Sequence, residues 1–133
     1  MSREDAWLAA VVLFALLALM LVNGCAWSPE TRAEAATVEA LMVVDTMQTV
    51  SAVRYPCYEE SNPLLGSHPT SGKVIAFAVL RSAGHLALTN WMEAHDTSVD
   101  NRRILQGIFI AVEAFAVIGN YSQGGRWLGA DRC

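Results

Sequence analysis

Residues 39–55 have the sequence EALMVVDTMQTVSAVRY, an apolar stretch with Asp45, Gln48 and Thr49 set in its middle. These three residues are spaced i, i+3 and i+4, so on an α-helix they share one face. A polar face in an apolar helix needs polar partners, because a charged side chain is costly in lipid. The stretch therefore predicts a membrane-embedded helix around which the rest of the chain is arranged.

The composition also favours a membrane protein. Of the 133 residues, 53% are hydrophobic and 17% are charged, and the mean hydropathy is +0.32. A chain of this composition is too apolar for an ordinary soluble domain, and its length fits a single domain. With a net charge of -4 and no basic run, it lacks the positive surface that binds nucleic acid. We expect one membrane domain over residues 1–133, with the lipid bilayer as its surroundings and no nucleic-acid partner.

The three cysteines, Cys25, Cys57 and Cys133, form neither a disulfide framework nor a zinc motif, because their number is odd and no C-x-x-C occurs. If the second predicted helix crosses the membrane, Cys25 and Cys57 lie near opposite faces and are too far apart to pair. We interpret all three as free thiols. The sequence predicts no cofactor.

Residues 6–27 are predicted to form a first transmembrane helix. Trp7 and Trp27 bracket an apolar run and lie about 30 Å apart at helical rise, which is the thickness of the hydrocarbon core. Tryptophans at both ends are typical of an aromatic belt. The alternative is a cleaved secretory or lipoprotein signal, since LVNGC at 21–25 resembles a lipobox. The lack of net positive charge before the run, its length and the poorly suited Asn23 weigh against cleavage.

Three further helices are predicted, over residues 29–55, 72–92 and 99–122, with a loop at 56–71. Ser28 is suited to cap the second helix and Pro29 to occupy its first position. The predicted fold is therefore an all-α integral membrane bundle of four transmembrane helices. A slight bias in the placement of lysines and arginines favours a multi-pass topology with both termini in the cytoplasm.

Polar residues of the last three helices are predicted to meet in one intramembrane cluster. Those that ionise lie near the middle of their segments, where an unpaired charge costs at least ~2.5 kcal/mol on insertion scales. We expect Arg81 to pair with Asp45 or Glu113, and His85, one turn away, to hydrogen-bond the remaining carboxylate. The predicted cluster consists of Asp45, Gln48, Thr49, Arg81, His85, Glu113 and Asn120. It forms either a polar pocket or the hydrogen-bonded contacts that hold a small bundle together.

The loop contains the string EESNPLLGSHP at residues 59–69. Asn62 precedes Pro63, which restricts Asn62 to an extended or turn conformation, and its amide can close the turn locally. Glu60 is placed to cap this turn or to hydrogen-bond beside it. These three residues are a candidate loop site.

A resemblance links this loop to the second helix. Asp45 and Thr49 form an Asp-x-x-x-Thr pattern within the predicted membrane helix. Glu60, Asn62 and Pro63 form a Glu-x-Asn-Pro pattern after it. Together the two patterns resemble those of a group of small multi-helix membrane proteins of bacteria, archaea and phages. The matched part covers a minority of the chain. The resemblance implies that these five residues belong to one site, with the loop folded back onto the helix, in a bacterial or phage-encoded inner membrane. The group has no assigned activity, so the resemblance implies no reaction.

Three classes of function are compatible with these patterns. The first is a small polytopic membrane protein that binds or assembles with a membrane partner, either another membrane protein or a second copy of the chain. The second is a membrane-embedded enzyme acting on a lipid or headgroup, with Asp45 or Glu60 as general acid or base and Arg81 holding a phosphate. The third is a proton- or ion-conducting or holin-like element. A polar cavity open at headgroup level would favour the enzyme, and a closed, dry junction would argue against it.

A metal site built from Asp45, His85 and Glu113 is disfavoured, because the neighbouring Arg81 would repel a cation. Nucleophilic catalysis is disfavoured as well. No G-x-S-x-G motif occurs, and Ser82 with His85 on one helix is more often coincidence than a catalytic dyad.

Overall fold

The computed structural model describes residues 27–55 and 58–122. These residues form three α-helices and no strand: α1 (Pro29–Ala52), α2 (Ser71–Ala94) and α3 (Val99–Ser122). The described part of the protein is therefore all-α. The helix predicted before Trp27, the three cysteines and the carboxyl-terminal tail lie outside the described residues.

Side-chain caps fix the start of α1 and of α2. Ser28 Oγ accepts a hydrogen bond from the Thr31 amide at 3.1 Å, and Pro29 occupies the first turn of α1. Thr70 Oγ1 accepts from the Lys73 amide at 3.2 Å at the start of α2. Such caps satisfy amides that have no partner within the helix. Each of the three helices has 24 residues and is thus about 36 Å long, enough to cross a bilayer by length.

The central helix is α1, which packs closely against both α2 and α3. The backbones of α2 and α3 stand further apart and are joined by side chains such as Arg81 and Glu113. Successive helices run in opposite directions, so the 58–70 loop meets the end of α1, the start of α2 and the end of α3. We call this the loop end of the bundle. At the other end, the indole of buried Trp27 donates to Asn90 Oδ1 at 3.4 Å.

Polar side chains fill much of the interior, while large apolar side chains are exposed. The buried polar residues are Thr31, Glu39, Gln48, Thr49, Ser82, His85, Thr89, Gln106 and Glu113. The exposed large apolar residues of α2 and α3 are Val79, Leu80, Leu88, Trp91, Val99, Ile104, Ile108, Val112, Phe115, Ile118 and Tyr121. Small apolar clusters remain at the two ends, around Val50 and Leu65 at the loop end and around Trp27 and Leu86 at the other. This distribution reverses the usual one of soluble domains.

Among the described residues, α3 is the one helix long and apolar enough to cross a membrane. The sequence analysis predicted the same for α1 and α2. Both are as long as α3, but each carries more polar residues along its buried face, such as Glu39 and Asp45 in α1 and Arg81 and His85 in α2. These residues lower the hydropathy of the two helices. Residues 27–55 and 58–122 thus contain one possible membrane span.

Candidate functional site

An arginine between two carboxylates joins all three helices. Arg81 Nη2 on α2 donates to Asp45 Oδ2 on α1 at 3.1 Å and to Glu113 Oε2 on α3 at 2.9 Å. Asn120 Nδ2, near the end of α3, donates to the other oxygen of Asp45 at 2.8 Å. We call these four residues the Arg81 cluster. Charge-assisted hydrogen bonds of this kind are the stronger ones in proteins, so the cluster fixes the relative positions of the helices.

The Arg81 cluster is only partly closed to the surroundings. The Glu113 side chain is 3% exposed, whereas Arg81 is 25% and Asp45 is 15% exposed. The guanidinium carbon also lies 5.7 Å from the ring centre of Phe77, within cation–π range. The buried carboxylate therefore anchors the arginine, and the Asp45 side of the cluster faces open space.

A second polar cluster lies deeper in the bundle and comprises Glu39, Ser82, His85, Thr89 and Gln106. Ser82 Oγ donates to Glu39 Oε2 at 2.5 Å, and His85 Nδ1 lies 2.8 Å from Glu39 Oε1. His85 Nε2 lies 2.9 Å from Gln106 Oε1. We call this the His85 cluster. All five residues are buried.

The hydrogen bonds of the His85 cluster determine where its protons lie. The Thr89 hydroxyl donates to the His85 carbonyl at 2.9 Å and accepts from Gln106 Nε2 at 2.8 Å. That contact orients the Gln106 amide so that its oxygen faces His85 Nε2, which must therefore carry a hydrogen. On the other side of the ring, His85 Nδ1 contacts Glu39 Oε1. Every member has a partner, as expected of a buried polar network that stabilises a bundle.

The residues predicted as one cluster are thus divided between two layers. At a helical rise of about 1.5 Å, Asp45 lies about 10 Å from the end of α1 and Glu39 about 20 Å from it. Arg81, Asp45, Glu113 and Asn120 contact one another as the sequence analysis expected. His85 instead bonds Glu39. The ionisable groups need not lie at one depth, because those of each layer contact partners within that layer.

Glu39 was missed by the sequence analysis, although it lies within the apolar part of the predicted second helix. The cost argument that was applied to Asp45 applies equally to Glu39. Two other predicted residues do not join a cluster. Gln48 is buried, and no hydrogen-bond partner of its Oε1 is found among the described residues. Thr49 is buried near the loop.

Hydrogen bonds within the 58–70 loop hold the residues of the candidate loop site in place. Glu60 Oε2 accepts from the Tyr58 hydroxyl at 2.6 Å, and its Oε1 accepts from the Asn62 amide at 2.9 Å. Asn62 Oδ1 accepts from the Leu64 amide at 3.0 Å, which closes an Asx turn with Pro63 inside it. Burial, followed by the hydrogen bond and charge of Glu60, raises the pKa of Tyr58 well above its ordinary value of 10.0.

The turn ends at Gly66, whose φ of +75° lies in the left-handed region that favours glycine. The Asn62 carbonyl accepts from the amides of Leu65 and Gly66 at 3.0 and 3.1 Å. Lys73 Nζ, from the first turn of α2, donates to the Leu65 carbonyl at 2.6 Å. The loop is therefore tied both to itself and to α2, and Leu65 is held in the apolar cluster with Val50.

A cavity of about 330 Å³ lies at the loop end, between the three helices and the loop. Its polar lining comprises Asp45, Thr46, Thr49, Glu60, Ser61, Asn62, Arg81 and Asn120. Its apolar lining comprises Leu65, Val74, Phe77, Ala78, Val112, Phe115, Ala116 and Gly119. The cavity brings together four of the five residues that the resemblance placed in one site. The fifth, Pro63, is exposed and does not line it.

A second cavity lies at the opposite end of the bundle. It has a volume of about 270 Å³ and is lined by charged residues, including Glu30, Glu34 and Arg103, and also by Arg102, which pairs with Glu93. Within residues 27–55 and 58–122, no three His, Cys, Asp or Glu side chains are grouped so that they could hold a metal ion. The loop-end cavity is the candidate functional site, because residues that the sequence singled out, such as Asp45, Arg81 and Glu60, line it.

Comparisons of the chain with protein-family models, with curated proteins and with solved structures gave no match. Any assignment of function must therefore come from the geometry of the site.

Proposed function

We propose that this is a multi-span membrane protein that binds an amphiphile, a molecule with a polar head and an apolar chain, in the loop-end cavity. The observation that carries the proposal is the composition of the cavity. Its polar lining includes Asp45, Arg81, Glu60 and Asn120, and its apolar lining includes side chains from the outer surface of α3. Its volume of about 330 Å³ falls within the range of small-molecule sites, roughly 300–1,000 Å³.

The wall of the cavity is continuous with the outer surface of α3. Val112 and Phe115 line the cavity and are also 58% and 80% exposed. A ligand held by its head near Asp45 therefore has an apolar path along α3 for its chain. A small, fully polar ligand would leave this apolar wall unused.

The inverted distribution of polarity supports placing all three helices in the bilayer. In α2, inward residues such as Ser82 and His85 are buried, while Leu80 and Trp91 are 72% and 54% exposed. In water, such an exposed apolar surface would favour aggregation, whereas in lipid it is the stable arrangement. The interior polar residues then satisfy one another, as intramembrane polar groups must.

The hydrogen bonds of the cavity favour binding over catalysis. Both oxygens of Asp45 and both oxygens of Glu60 already accept hydrogen bonds from the protein. They are therefore held as fixed acceptors, which suits recognition better than proton transfer. The enzyme hypothesis keeps one supporting observation, since the cavity is polar and open at the loop end. Assembly with a membrane-protein partner or a second copy stays a prediction.

The pore hypothesis finds less support in the His85 cluster. Its five members are buried, and their hydrogen bonds are directed at one another. Such a closed junction stabilises the bundle, and a conducting path would instead need a water-filled connection between the two ends.

The proposed function is tested by a substitution that fills the cavity. Gly119 lines the cavity, and a Cβ added there meets nothing within 4 Å, so Gly119→Phe is chosen to place a ring in the cavity. Gly107 lies on the same helix, is exposed and has equally open surroundings, but does not line the cavity. We expect Gly119→Phe to lose most of the lipid that the purified protein retains in native mass spectrometry, and Gly107→Phe to retain it. Equal retention by both variants would overturn the proposal.

A further inference from the structure

The charges of the cavity specify the kind of head that it accepts. We infer that the loop-end cavity recognises a primary ammonium group attached to an apolar chain. This inference rests on the proposed function and adds the chemical class of the ligand to it.

The first argument is the balance of charge. Asp45 and Glu60 line the cavity, and Glu113 lies directly behind Arg81. Arg81 is the one cation among the lining residues, and its Nη2 already donates to Asp45 and to Glu113. Two carboxylates and one guanidinium thus line the cavity, and the guanidinium is shared with the buried Glu113, so a cationic head is favoured over an anionic one.

The second argument is the capacity for hydrogen bonding. A carboxylate has about four acceptor positions, and Asp45 and Glu60 each use two of them within the protein. The remaining positions suit a group that only donates. A primary ammonium carries three N–H donors and no acceptor, so it matches these two carboxylates better than a phosphate, a sulfate or a carboxylate does.

The third argument is the position of Glu60. It is held by Tyr58 and by the backbone of Asn62, and neither partner carries a positive charge. Within residues 27–55 and 58–122 Glu60 forms no salt bridge, and it faces the same cavity as Asp45. Lys73 at the start of α2 does not line the cavity, because its ammonium is directed to the Leu65 carbonyl. An ammonium placed between Asp45 and Glu60 would contact both carboxylates.

The test compares matched amphiphiles on the full chain in maltoside micelles at pH 7. The probes are dodecylammonium, dodecyl phosphate, ethylammonium and phosphatidylethanolamine, and binding is measured by calorimetry. We expect dodecylammonium to bind at least about tenfold more tightly than dodecyl phosphate, the effect of one hydrogen bond to a charged group. Binding by phosphatidylethanolamine as well assigns the ammonium to a lipid headgroup, and binding by dodecylammonium alone assigns it to a single-chain amine.

Matched variants separate the effect of the cavity carboxylates on binding from the effect of the overall charge of the protein. Glu60→Gln and Asp45→Asn each remove one negative charge from the cavity and are expected to lose about tenfold in dodecylammonium affinity. Glu59→Gln removes the same charge from the exposed neighbour of Glu60 and is expected to bind as the parent does.

The outcomes that overturn this inference differ from those that overturn the proposed function. If dodecyl phosphate binds as tightly as dodecylammonium and Gly119→Phe blocks both, the cavity binds amphiphiles without selecting an ammonium. If ethylammonium binds as tightly as dodecylammonium, the apolar chain is not recognised. If no amphiphile binds in a way that Gly119→Phe changes, the proposed function itself fails.

Discussion

Arg81 on α2 reaches Glu113 on α3 with a hydrogen bond of 2.9 Å, across a gap where the two backbones do not pack closely. The carboxylate is nearly inaccessible, at 3% exposure. A charge pair with this geometry holds the two helices at a distance that leaves room for the cavity beside Asp45. The stability of the bundle and the shape of the candidate site therefore depend on the same contact.

Removal of the Arg81 charge is expected to destabilise the protein strongly. Arg81→Met leaves Asp45 and Glu113 facing each other without a cation, and breaking a buried pair in this way costs about 3 kcal/mol. Thermal unfolding in detergent, followed by circular dichroism, measures the loss. The triple variant that adds Asp45→Asn and Glu113→Gln removes the repulsion and should recover much of the stability. An Arg81→Met protein as stable as its parent would contradict the role of the pair.

Glu39 and His85 are expected to be energetically coupled. Each single alanine variant leaves the other residue buried without its partner, so the two losses should not add. A double-mutant cycle from denaturant unfolding is expected to give a coupling of about 2 kcal/mol. The control cycle pairs Glu39→Ala with His95→Ala, an exposed histidine at the end of α2, and should give no coupling. Additive losses in the first cycle would contradict a stabilising contact between Glu39 and His85.

Tyr58 is expected to ionise at a higher pH than a free tyrosine, because burial and the contact with Glu60 raise its pKa above 10.0. An unfolded chain releases this proton near pH 10. The stabilising effect of the protonated phenol is therefore complete below that pH and is lost as the pH rises further.

Absorbance at 295 nm during a pH titration of the folded protein measures this shift of the ionisation to higher pH. Tyr58→Phe should remove the ionisation step at higher pH, whereas Tyr121→Phe, which changes an exposed tyrosine, should leave that step in place. A titration of the parent in which every tyrosine ionises near pH 10 would show that the loop does not bury the Tyr58 hydroxyl.

Three membrane-spanning helices require that the 58–70 loop and the short connection between α2 and α3 lie on opposite sides of the membrane. Ser67 and Ser98 are exposed, one in each connection, and each can be replaced by cysteine in a chain whose native cysteines are changed to serine. In sealed vesicles, a membrane-impermeant maleimide is expected to label only one of the two variants, and both after detergent is added. Labelling of both without detergent would place the helices on one side of the bilayer.

Much of this architecture can be predicted from the sequence, because it depends on local patterns of residues. Ser28 and Pro29 predict the start of α1, and Asn62 and Pro63 predict the turn in the loop, since caps and turns depend on neighbouring residues alone. The cost of an unpaired charge in lipid also predicted that Arg81 would be paired with Asp45 or Glu113, and the structure shows it bonded to both.

Which polar groups face each other was decided by the tertiary structure. The sequence assigned His85 to the same layer as Asp45, but the rotation and offset of α1 bring Glu39 to His85 instead. Helical spacing fixes which residues share a face of one helix, whereas the axial and rotational register between helices results from the packing of all three. The cavity is likewise a property of the assembled molecule, because its lining comes from three helices and a loop that no local pattern relates to one another.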